Sequence, residues 1–150
     1  MGGRRTAAGT LVLDALHGER PSAALAALSG SPGAARLLTQ LFVVSLRRCF
    51  AGRDPREITG YVRDLLEWRQ LPACGRLARR TEALIRAVLG EPALAAAVPA
   101  GCRYEIMCHV VGDLVRPPGA PPGVLQALID QAERQVDRYP AARATAARQP

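Results

Sequence analysis

Three polar side chains recur at a spacing of four, Glu105, His109 and Asp113, with Cys102 on the same strip. At about 100° per residue that spacing stacks them on one face of a helix. An imidazole and two carboxylates so placed are half of a metal site whose remaining ligands come from a neighbouring helix. The same groups also form an exposed ladder of hydrogen bonds between successive turns. No second cluster supplies further ligands, so the ladder is expected. Glu105, His109 and Asp113 stand as weak metal candidates, and no cofactor is expected.

The four cysteines, Cys49, Cys74, Cys102 and Cys108, show no CxxC pair, and the chain has only two histidines. That spacing does not build a zinc site. Cys49 and Cys108 fall on apolar helix faces, where a thiol packs as a small hydrophobe. Cys74 precedes a helix start and Arg76, a setting that favours a thiolate. No histidine is paired with it in sequence. His17 falls near the end of the first helix, where a cation suits the helix dipole.

Arg76, Arg79, Arg80 and Arg86 occupy one face of segment 75–89, opposite Leu77, Leu84, Ile85 and Val88. Guanidinium groups in a row suit phosphates or carboxylates. These four are the predicted partner- or anion-binding residues. Base-specific reading would need amide or hydroxyl side chains on the same helix, and stacking on single strands would need aromatics, which make up only 4% of the chain. Glu82 lies one turn from both Arg79 and Arg86, so part of the charge is paired internally. Nucleotide-binding and hydrolase signatures are missing: there is no lysine for a P-loop, and no G-x-G-x-x-G, G-x-S-x-G or H-E-x-x-H.

The elements that must carry these groups are punctuated by proline. Pro21, Pro32, Pro55, Pro72, Pro92, Pro99, Pro117, Pro118, Pro121, Pro122 and Pro140 all fall between periodic stretches. Helices start on proline or stop before it. The intervals predict helices over about 6–18, 21–29, 32–51, 54–71, 75–89, 91–97, 100–115 and 122–139. Alternation at period two is missing, and Ala, Leu, Arg, Glu and Gln dominate, which favours helix throughout. Asp54-Pro55-Arg56-Glu57 has the order of a capping box, Ser31-Pro32 repeats cap then proline, and Gly52 and Gly90 stand where helix C-termini turn left-handed.

Segment 34–51 is apolar nearly all round, with only Arg36, Gln40 and Arg47 forming a polar strip. Such a helix is wrapped by others. The expected fold is therefore an all-α, compact single-domain bundle of six to eight helices around a buried central helix at about 34–51. On 54–71 the inward stripe reads Ile58, Tyr61, Val62, Leu65, Leu66 and Trp68. On 122–139 it reads Val124, Leu125, Leu128, Ile129, Ala132, Val136 and Tyr139. The expected organisation is a flexible basic N-terminus over 1–5, an all-α domain over 6–139 and a flexible tail over 140–150.

The chain has 150 residues and a formal charge of +7, and all 20 basic residues are arginine. Arg4, Arg5, Arg143 and Arg148 belong to the expected ends, which leaves the body only modestly basic. The absence of lysine and asparagine points to a coding bias toward alanine and arginine. No apolar run reaches the roughly 20 residues of a membrane span. Targeting patterns around Arg4-Arg5 and Met1-Gly2 are too short to carry weight, so a cytoplasmic location is expected. The expectation is a non-catalytic helical adaptor, including a regulatory role, that binds an acidic or amphipathic protein partner. A nucleic-acid-binding or transcription-regulatory domain ranks second, and a metal- or small-ligand-binding bundle third.

Overall fold

Proline at the first helical position fixes where four of the helical segments begin, and the caps beside it fix two of them firmly. The computed structural model describes residues 6–17, 21–71, 75–115 and 123–138. Its elements in order are α1 (Ala7–His17), α2 (Pro21–Ser29), α3 (Pro32–Phe50), α4 (Pro55–Trp68), α5 (Arg76–Leu89), a 3₁₀ turn (Pro92–Ala97), α6 (Ala100–Leu114) and α7 (Val124–Arg138). The expected ends, with Arg4, Arg5, Tyr139, Arg143 and Arg148, lie outside the described residues, as does Cys74.

Pro32, Pro55 and Pro92 begin their elements, where a missing N–H costs nothing. The Ser31 hydroxyl accepts from Ala34 N at 3.4 Å. The Asp54 carboxylate accepts from Arg56 N at 2.7 Å, one residue earlier than a capping box requires. At the other ends, Gly52 and Gly90 take positive φ, and Glu91 N donates back to the Arg86 carbonyl at 3.0 Å.

The architecture is an all-α bundle without strands among the described residues, and α3 is its axis. Ala34, Leu37, Leu38, Leu41, Phe42, Leu46 and Phe50 are all buried on it. Around α3 pack α1, α2, α5, α6 and α7. α4 joins through Phe50 and Tyr61, whose rings lie 4.9 Å apart at 58°, and through α5. Each outer helix turns one stripe inward: Ile58, Val62, Leu65 and Leu66 from α4, Ile106, Met107, Val110 and Val111 from α6, Leu128, Ile129 and Ala132 from α7. No helix among the described residues is long and apolar enough to cross a membrane.

One inward assignment needs correction. Trp68 is 82% exposed and no part of the core. It lies roughly a quarter-turn off the buried stripe and in the last turn of α4. On α5, the buried stripe includes Thr81 beside Leu84 and Ile85, its hydroxyl satisfied by the Leu77 carbonyl at 2.9 Å.

Candidate functional site

The α6 row divides between two neighbours. Glu105 Oε1 lies 3.8 Å from His109 Nε2, while one turn on the Asp113 carboxylate accepts the Tyr61 hydroxyl at 3.0 Å. Burial and the facing Asp113 carboxylate push the Tyr61 phenol far above its ordinary range. His109 is held below the usual histidine value, first by burial and then by the Arg69 guanidinium, with Glu105 pulling the other way. At neutral pH its imidazole is uncharged. Burial pushes the Cys108 thiol up to about 11, with Arg69 opposing and Glu105 adding. Among the described residues no three His, Cys, Asp or Glu side chains gather as a metal site.

Arg69 organises this region and carries no sequence signal. It is the residue after α4, and its placement depends on how that helix ends. Leu71 N donates to the Leu66 carbonyl at 2.8 Å and Gln70 N to the Glu67 carbonyl at 3.0 Å, with Gln70 at φ +55°. This is a Schellman turn with glutamine where glycine is usual. The turn lays Arg69 against α6, where Nη2 donates to the His109 carbonyl at 3.3 Å. Gly112 leaves the room for it, because a Cβ there would come 3.0 Å from Nη2. The result is a cleft of about 110 Å³ lined by Ala15, Leu16, Leu25, Arg69, Glu105, Cys108 and His109.

The four arginines of α5 are not one surface. Arg86 grips Glu91 with two bonds, Nε to Oε1 at 3.0 Å and Nη2 to Oε2 at 2.8 Å, and lies 3.6 Å from Glu82. Arg80 reaches α6, its Nη1 3.4 Å from Cys102 Sγ in the first turn of that helix. Of the four, only Arg76 and Arg79 are exposed. The Glu82 pairing was legible at i, i+4, whereas the Glu91 and Cys102 contacts arise from the turn after α5 and from α6 packing. Cys49, Cys102 and Cys108 are free thiols, all half-buried.

A second surface opens between the end of α3 and α4. This open groove of about 680 Å³ has Arg48 and Arg53 on its α3 edge, Glu57 and Asp64 on its α4 edge, and Cys49, Phe50, Gly60 and Tyr61 between them. Glu57, Gly60, Tyr61 and Asp64 share one face of α4, and Trp68 continues that row one turn on. A Cβ at Gly60 would meet nothing within 4 Å, so the fold itself does not require glycine there. In a helix interior glycine costs about 1 kcal/mol relative to alanine. Compared with known proteins, the chain matches no family model, no curated sequence and no solved structure.

Proposed function

We propose that the protein is a non-catalytic helical interaction module that holds an amphipathic helix of a protein partner in the α3–α4 groove. The observation that carries this reading is Trp68, the one large hydrophobic side chain exposed among the described residues. Tryptophan anchors interfaces more than any other side chain, because its large rigid ring loses little entropy on docking. The groove beside it offers a basic edge, Arg48 and Arg53, and an acidic edge, Glu57 with Asp64, the latter shared with Arg63 at 3.0 Å. A helix with acidic residues on one flank and basic residues on the other complements both. Gly60 lets that helix approach the α4 backbone closely. Two of the four α5 arginines are engaged within the fold, which favours this groove over α5 as the docking surface.

A photoreactive benzoylphenylalanine incorporated at position 68 of the full chain, in its native host, tests the reading. The expected result is one predominant protein adduct that disappears when Arg48→Glu and Arg53→Glu are introduced together. Absence of any adduct, or adducts indifferent to those changes, overturns it.

A further inference from the structure

We propose that the cleft between α1, α2, the end of α4 and α6 binds a small zwitterionic α-amino acid with a short aliphatic side chain. This site is separate from the α3–α4 groove and does not rest on the function proposed for it. Its two charged groups are of opposite sign and lie beside an apolar wall. Arg69 has no carboxylate within 4 Å among the described residues, and its one bond is to the neutral His109 carbonyl. Most of its donors remain for a ligand, in the planar fork that fits a carboxylate in two bonds. Glu105 stands 3.8 Å from His109, beyond hydrogen-bond length, and its carboxylate is half exposed. It is an acceptor for an ammonium group.

The other groups at the cleft add no charge. The His109 imidazole is neutral at pH 7 because burial and Arg69 oppose its protonation, and Cys108 stays a thiol. The charges presented to a ligand are therefore one positive and one negative. A plain carboxylate satisfies Arg69 but is repelled by Glu105, and a plain amine does the reverse. A zwitterion satisfies both. Leu16 and Leu25 form the remaining wall and exclude water from an aliphatic side chain. The cleft, about 110 Å³, is on the scale of a ligand of a few carbons. Gly112 leaves the guanidinium room to lie across α6, since a Cβ there would come 3.0 Å from Nη2 and press it outward.

Titration calorimetry on the full chain near neutral pH, with L-valine, isobutyrate and isobutylamine as probes, tests the assignment. Valine is expected to bind in about the millimolar range or tighter. Each half-ligand should bind at least about tenfold more weakly, and Arg69→Gln and Glu105→Gln should each cost valine about tenfold. Gly112→Ala, which displaces the guanidinium without touching the core stripe of α6, should also weaken binding and serves where Arg69→Gln fails to fold. Absence of both heat and any shift of the His109 imidazole resonances at about 20 mM valine overturns the site. Isobutyrate binding as tightly as valine overturns the zwitterion.

Discussion

Ser45 stands in the middle of α3, only 4% exposed, and its hydroxyl has no hydrogen-bond partner. Replacing it with alanine removes that oxygen and keeps everything else in place. A buried hydroxyl without a partner carries a desolvation cost of about 1–3 kcal/mol, which Ser45→Ala recovers. Alanine adds about 0.5 kcal/mol of helix propensity over serine. Against these gains stands the void left by one oxygen atom, worth about 0.3 kcal/mol at the rate measured for core cavities. The balance is a stabilisation of about 1.2–3.2 kcal/mol, or roughly 2–13 °C in Tm for a domain of this size. Urea unfolding followed by circular dichroism at the helix band measures it, with the slope m required to stay constant so that the midpoint reports stability alone. An unchanged or lowered midpoint refutes the reasoning, because it shows that the hydroxyl finds a partner in solution.

Two further perturbations test the site's surroundings. The His109 value is lowered in the folded protein, so the unfolded chain takes up a proton first. Stability from this group is therefore complete above about pH 6.5 and falls as pH drops below it. His109→Gln should flatten the stability profile between about pH 7.5 and 5.5 relative to the native chain, and parallel profiles would contradict the burial argument. At the end of α4, Gln70 holds φ +55°, a conformation that costs an L side chain about 1–2 kcal/mol. Gln70→Gly relieves it and returns about 0.4–1 kcal/mol through the looser unfolded chain. A net gain of about 0.5 kcal/mol in urea melts is expected, and a loss would show that the glutamine side chain holds the turn.

The helix starts were legible because proline and its caps act locally: Ser31-Pro32 and Asp54-Pro55 place α3 and α4 without reference to the rest of the molecule. The end of α4 was less so. The expected segment ran to 71, but α4 closes at Trp68 with glutamine rather than glycine in the left-handed position. Periodicity also located the axis of the bundle, since α3 is the long helix whose large apolar residues spread over most of its circumference. It misplaced Trp68, because a side chain at the margin of a stripe is inside or outside according to whether a neighbour covers the last turn. Nothing local encodes that.

The site was legible in proportion to how local it is. Glu105 and His109 lie side by side as their spacing implied, though at 3.8 Å without the expected hydrogen bond, while Asp113 went to Tyr61, 52 positions away. Arg69 was passed over altogether, because its role depends on a turn that no glycine announces and on a missing side chain at Gly112. Arg86 pairs with Glu82 as the i, i+4 spacing implied, and the turn at Gly90 adds Glu91, which no local spacing announces.

Trp68 is the chain's only tryptophan, and it stands in solvent one helical turn beyond Asp64 of the α3–α4 groove. In most small domains the indole is part of the core, so its emission reports unfolding. Here the folded protein already emits like a solvated indole, and denaturant moves that emission little. A surface laid over Trp68 would move it toward the blue, so this protein's intrinsic fluorescence is blind to folding and would report contact at that side chain.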